Sequence, residues 1–291
     1  MTHNYKGAKV GSVKVEVIGG GNWEGSCPCF LVYWITSELI IEGVMIDCGA
    51  GSQSRFLHLD RMHLPCLQGL FITHFHGDHF TDALSLVDYR TLFEATREQE
   101  LSPFTVLGPL DIVSNLQALR RMYGSEDLDK GHITTHEARG VGHFDLVTAL
   151  GVHVGVDTIR VPHMNWEKDV CLAYRVAVGG KTAVFTGDIN GPLDLEDPRY
   201  RRVVDFMNGA DIAVIEAGAS ELTNTPRGHL WCTETVALAR AGGAKRVLVN
   251  HVPLSFQSHV WSLLNSINMN ELLEPANQLI SLAEDGMILK L

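Results

Sequence analysis

The sequence predicts an α/β protein in which two sheets are covered by helices on their outer faces. Three observations carry that expectation: strand-like segments open the chain, helical segments then alternate with short apolar strands, and the second half is again strand-rich. With 291 residues, 45% of them hydrophobic and 20% charged, the chain can bury a substantial core. It shows no repeat, low-complexity tract or Pro/Ser-rich linker, so a single domain over 1–291 is expected, with halves at about 10–125 and 145–291.

The first segment alternates Val13, Val15 and Val17 with Lys14 and Glu16, the period of a half-buried strand. The glycines at 19–21 read as a turn rather than a phosphate cradle, because no helix signal follows them. "FLVYWI" and "LIIEGVMIDCG" extend the meander as apolar, β-branched runs. "GLFIT" is a short buried strand leading into a histidine-rich loop, after which "TDALSLVDYRTLFEATREQ" has helical spacing with Thr81 as its expected N-cap. "FTVLG" reads as a strand and "LDIVSNLQALRRMY" as a helix, whereas 124–145 gives no readable pattern. Strands are expected in "VGVDTIRVPH", "CLAYRVAV", "KTAVFTGD", "ADIAVIEAG" and "KRVLVNH", with "WCTETVALARAGG" helical, 259–283 helical and "GMILKL" the last strand.

The formal charge of −11, from 23 basic and 34 acidic residues, opposes long nucleic acids and favours a small-molecule substrate. The cysteines at 27, 29, 48, 66, 171 and 232 form no dense framework, and the N-terminal stretch lacks the pattern of a secretory signal, so reduced thiols and a cytoplasmic protein are expected. Cys27 and Cys29 read as free thiols near a pocket rim, and the other four as small buried hydrophobes. No apolar run approaches the ~18 residues that would cross a bilayer, so no membrane insertion is expected.

"THFHGDH" places His74, His76, Asp78 and His79 within six positions. His74 and His76 can point the same way from an extended chain, and Gly77 allows the sharp turn that follows. Imidazole and carboxylate suit zinc and other borderline divalent ions, and such a dense set serves two adjacent ions better than one. The bland alternative is a set of unrelated, solvated loop residues.

This string resembles the His-x-His-x-Asp-His signature of the metallo-β-lactamase superfamily, and "RVPHMN", "AVFTGDI" and "RVLVNHVP" continue that family's pattern in order. The resemblance covers about 10–291 and implies a four-layer αββα sandwich with a metal site at the edge between its two sheets. It implies His74, His76 and His163 around one divalent ion, Asp78, His79 and His251 around a second, and Asp188 between them, with zinc the first choice and manganese or iron the alternatives. His153 competes with His163 for the third histidine position. Asp47 in "MIDCG" is expected to support the metal loop by accepting hydrogen bonds, with a plain turn aspartate as the other reading.

"DIAVIEAGAS" followed by "GHLWCTETVALARAGGAKRVLVNH" resembles the ribonuclease Z-like phosphodiesterase branch. That implies a working pair in which Glu216 keeps His229 protonated and His229 steadies a phosphate oxygen or supplies a proton to the leaving alkoxide; a capping pair at the sheet rim is the alternative. Two departures stand out. His163 and Asp188 lie only 25 positions apart, which leaves no room for the long arm of the members that mature transfer RNA, and Leu230 and Trp231 stand where the branch has Ser-Thr.

The function implied is hydrolysis by a hydroxide shared between two metals and oriented by Asp78 and Asp188, acting on a small phosphodiester, cyclic ones included. The alternative is a lactone, thioester or other acyl substrate, for which "GHLW" offers an apolar wall. A non-catalytic metal-binding or sensor protein is the third reading, opposed by the complete ligand set. Trp23, Tyr33 and Trp231 are candidate pocket aromatics, and the oligomeric state is open, with a homodimer one reading because dimers are common in the branch.

Overall fold

The alternating valines form β1 (Val10–Gly19), which pairs antiparallel with β2 (Cys29–Thr36), and β2 pairs antiparallel with β3 (Ile41–Ile46). The structure, a computed structural model, describes residues 8–21, 27–59, 66–95, 103–123, 132–163, 170–219, 228–271 and 279–291. Beyond β3 the sheet turns parallel through β4 (Leu67–Phe71), β5 (Phe104–Pro109) and β6 (Ile133–Ala138). Parallel neighbours need crossovers. These are supplied by α1 (Ser52–Leu59), the short α2 (Gly77–Phe80) with α3 (Ala83–Ala95), and α4 (Ile112–Tyr123).

The second sheet repeats this plan. β7 (Gly142–Val147), β8 (His153–Val161), β9 (Cys171–Val178) and β10 (Lys181–Phe185) form an antiparallel meander. β10, β11 (Ile212–Glu216), β12 (Arg246–Asn250) and β13 (Leu279–Leu282) are then parallel. Their crossovers are α5 (Pro198–Met207), α6 (Cys232–Gly242) and α7 (Gln257–Glu271). The last strand, β14 (Ile288–Lys290), leaves this sheet and pairs with β1, so each sheet has seven strands.

Three apolar clusters match the four layers. One lies between the sheets and includes Val15, Phe30, Trp34, Phe71, Val156, Tyr174 and Phe185. The others sit under the helices of each outer face, around Phe56, Leu70 and Leu84 on one side and Val203, Leu238 and Val249 on the other. Full burial of each such side chain contributes about 1.5–3 kcal/mol, which fixes the strand register because a slip by one residue would turn it to the wrong face. No described helix is long and apolar enough to cross a membrane.

Several local expectations are corrected. Asp78 and His79 sit on the helical turn α2 rather than on a loop, and Thr81 closes that turn, its hydroxyl donating to the Gly77 carbonyl. Within the 259–283 segment the described helix runs to Glu271, 272–278 lie outside the described residues, and Leu279–Leu282 form β13 rather than helix, where buried Ile280 completes the sheet-to-helix core. The unreadable stretch holds β6 and β7 from Ile133 onward, while its first residues, 124–131, lie outside those described. Helix α5 went unread, although Asp197 caps it through the Arg199 amide and Pro198 follows as a good first helical residue.

Candidate metal centre

Every residue singled out for metal binding follows the carboxyl end of a strand that runs in the parallel direction of its sheet. The chain after β4 carries His74, His76, Asp78 and His79; His163 follows β8, Asp188 follows β10 and His251 follows β12. β8 belongs with this group because it and β10 are both antiparallel to β9. Open α/β sheets gather ligands at this end, and here two such ends meet. The Leu172 amide donates to the Thr73 carbonyl at 2.9 Å and the His251 amide to the Gly20 carbonyl at 3.0 Å, joining the sheets across the site.

Asp188 lies at the centre. Its Oδ2 is 3.6 Å from His74 Nε2, 3.9 Å from His163 Nε2 and 3.5 Å from His251 Nε2, and its Oδ1 is 3.3 Å from His79 Nε2. Asp78 Oδ2 meets His251 Nε2 at 3.0 Å, and His163 and His76 face each other at 3.5 Å. His74, His76, His163 and Asp188 form one group whose donor atoms all lie within 4.8 Å of one another, and Asp78, His79 and His251 form another. His153, by contrast, is exposed at the start of β8, paired with Val147.

The electrostatics fit cation ligation. Burial pushes His74 well below the ordinary imidazole value and His163 down to about 4, leaving both neutral, as a ligand must be. Burial alone would lift the Asp188 carboxyl, but His251 and His79 outweigh it and hold the group well below its usual range. Nε2 of His74 and of His79, and both carboxylate oxygens of Asp188, are buried without a hydrogen-bond partner. Orphaned buried polar atoms are costly. A divalent cation satisfies converging imidazole nitrogens and carboxylate oxygens, so the residues present fit the group.

The supporting shell is set by backbone geometry. Asp47 follows β3 with φ of 57° and His251 follows β12 with φ of 61°, left-handed conformations that are costly for such residues and recur at functional sites. Asp47 accepts the Thr73 amide at 2.7 Å and the Thr73 hydroxyl at 2.9 Å, and its Oδ2 lies 2.8 Å from His79 Nδ1. The Thr73 hydroxyl also touches His74 Nδ1 at 3.0 Å. Asp47 thus orients the metal loop, and Thr73, which sequence reasoning passed over although it precedes His74, links the two. Two glycines permit the crowding. A Cβ on Gly49 would fall 1.7 Å from the Asp78 carbonyl oxygen, and one on Gly218 would fall 2.7 Å from both His229 and His251.

Glu216 and His229 sit side by side next to Asp188. Glu216 is fully buried and accepts the amides of Ile189 (3.1 Å), Leu230 (2.8 Å) and Gly218 (2.5 Å). His229 Nδ1 lies 3.4 Å from Glu216 Oε2 and 3.6 Å from Asp188 Oδ2. Burial works against a charged imidazole here, but the Glu216 and Asp188 carboxylates outweigh it and push His229 up to about 9. Asp188, His229 and His251 also come within ligand distance of one another. Burial also opposes a charged His79, but Asp188 and Asp47 outweigh it and push that imidazole well above its ordinary value; what sets His229 apart is its contact with Glu216.

Other expectations fare differently. Leu230 is wholly buried in the core beneath the helices and Tyr33 in the opposite outer core, so neither lines the site. Trp231 is half-buried beside His229, and Trp23 lies outside the described residues. Cys27 and Cys29 are free but buried rather than at a rim, and Cys66, expected inside, is partly exposed.

Comparison with known proteins identifies the family and the fold. The family model for the beta-lactamase superfamily domain matches residues 43–252. Curated ribonuclease BN proteins of Escherichia coli are 25% identical over 253 residues, covering 72% of this chain and 77% of theirs. The metallo-beta-lactamase fold protein YhfI from Bacillus subtilis superposes with a TM-score of 0.69 at 17% identity, over 96% of this chain and 99% of its own. Human tRNase Z, short form, gives 0.66 at 20% identity, over 95% and 98%.

Proposed function

The chain belongs to the metallo-β-lactamase superfamily, and from that premise we propose that it is a dinuclear metal-dependent hydrolase of a small phosphodiester. His74, His76 and His163 would hold one divalent ion, Asp78, His79 and His251 the other, and Asp188 would lie between them. Zinc suits this nitrogen-rich set, with manganese or iron as substitutes. When bound, such ions supply Lewis acidity and lower the pKa of water to about 7, so no side-chain nucleophile is needed.

The observation that carries the phosphodiester reading is the His229–Glu216 pair. An imidazole pushed up to about 9 is a cation at neutral pH, and it stands 3.6 Å from Asp188. From there its ring can donate to an anionic phosphoryl oxygen and release its proton to the departing alkoxide. Glu216 is held by its three amide donors, so the imidazole meets a fixed carboxylate with no reorganisation. The acyl alternative loses the apolar wall expected from Leu230, which is buried in the core. The ribonuclease BN relatives also point towards phosphodiester chemistry.

Elemental analysis of the purified protein, paired with hydrolysis of bis(p-nitrophenyl) phosphate and of a p-nitrophenyl ester before and after chelation, tests the proposal. Near two ions per chain and chelator-sensitive phosphodiester cleavage are expected. Ester cleavage alone would transfer the function to acyl substrates, and a metal-free protein after careful purification would overturn it.

A further inference from the structure

A cavity of about 410 Å³ opens beside the metal cluster, bounded at one end by His74, His76 and His163 and at the other by the turn between β5 and α4. Its side walls include Phe75 and Val170, which suit a flat ring. His74 Nε2, which faces Asp188, and His163 Nδ1 are buried without a hydrogen-bond partner, so the near end of the cavity opens onto the candidate metal site. The far end carries Asp111, whose backbone is left-handed (φ 75°) and whose carbonyl is tied by the Ser114 hydroxyl at 3.0 Å and the Asn115 amide at 2.9 Å. That clamp fixes the backbone of Asp111, an exposed residue that lines the cavity. Among the described residues no lysine or arginine lines the cavity.

We propose that Asp111 is a specificity-determining residue: it selects substrates whose non-reacting half is a ring-sized group bearing an amine or hydroxyl donor, and it rejects those carrying a second anion there. The chemistry follows from the two ends. The histidine end takes the reacting group, where the divalent ions of the proposed function would supply positive charge, the apolar walls take the ring, and the carboxylate accepts a hydrogen bond from a donor but repels a carboxylate or second phosphate. The inference deepens the phosphodiester reading and rests on it only for the identity of the reacting group.

The test uses p-nitrophenyl aryl phosphate diesters whose second ring carries aminomethyl, hydroxymethyl, hydrogen or carboxylate. In the wild type kcat/KM should fall in that order, with at least a tenfold span between aminomethyl and carboxylate expressed mainly in KM. In D111N that span should collapse to within about threefold. D111G is the second variant; asparagine and glycine both tolerate a left-handed backbone, so either keeps the turn. An unchanged span in both variants, or a wild type indifferent to the ring substituent, overturns the proposal. If no diester is cleaved, the phosphodiester reading fails alone. The same comparison is then made by calorimetry with 4-(aminomethyl)phenyl phosphate and 4-carboxyphenyl phosphate, where equal affinities in wild type and D111N would overturn the assignment of Asp111.

Discussion

Replacing Glu216 by glutamine separates the structural from the chemical duties of that carboxylate. Oε1 accepts the amides of Ile189 and Leu230, and Oε2 accepts that of Gly218 while facing His229. A glutamine has one oxygen, so either orientation sets its NH2 against at least one N–H. The milder orientation places the nitrogen beside Gly218. It forfeits one hydrogen bond to a charged group, roughly 1.5–3 kcal/mol, and leaves a donor unpaired at roughly 1–3 more. A loss of about 3 kcal/mol or more is expected, a large share of the ~5–15 kcal/mol that holds a domain together. Urea unfolding of the metal-free protein at pH 7 reads it as a lower midpoint at unchanged slope.

The loss should also depend on pH. His229 is raised from 6.5 to about 9, so the stability it draws from the carboxylates is fully present below 6.5 and disappears as pH rises through 9. The gap between wild type and E216Q should therefore narrow over that window. A gap below about 1 kcal/mol, or one that widens towards pH 9, would refute the account of Glu216 as a saturated acceptor that charges His229.

Other perturbations probe the centre from different sides. G218A would drive a Cβ to 2.7 Å from both His229 and His251, and kcat/KM should fall by about 100-fold, the scale of a small misplacement of catalytic groups, with the fold retained by circular dichroism. T73V keeps the shape but removes the hydroxyl shared by Asp47 and His74; chelator competition should show metal bound about 10–100-fold more weakly, and unchanged affinity would dismiss Thr73 as a support. Asp211 accepts the Lys245 ammonium at 2.8 Å and the Thr182 amide at 3.0 Å; burial would raise its carboxyl, but these partners outweigh it and hold it below its usual value of 3.8. D211N should cost about 1–3 kcal/mol at pH 7, measured by urea unfolding, and the difference should shrink as pH falls below that value.

The elements that periodicity marks most clearly were the ones legible in advance. Alternating valines announce β1, and an apolar run entering "THFHGDH" announces β4. Chemistry that is local in sequence was legible too: four ligand-type residues within six positions declare a metal loop before any folding is considered. The pairing of Glu216 with His229 was reached through likeness rather than spacing, because 13 positions separate them. Short strands such as β13, with a single fully buried residue, and β6, with alternating exposure near the sheet edge, carry too little periodic signal to be read.

What no residue string contains is distance between separate strand ends. Likeness named His163 in advance, but only the fold brings the carboxyl end of β8 to that of β4 and leaves His153 at the opposite end of the same strand. The left-handed turns at Asp47, Asp111 and His251 arise where tertiary contacts hold costly backbone in place, and nothing in the residue types demands them. The need for glycine at 218 exists only because two histidines from different segments crowd one backbone atom. Residue types and their local order thus set the ligand chemistry, whereas the convergence of two sheets set which ligands meet, because through-space contact depends on packing of the whole chain.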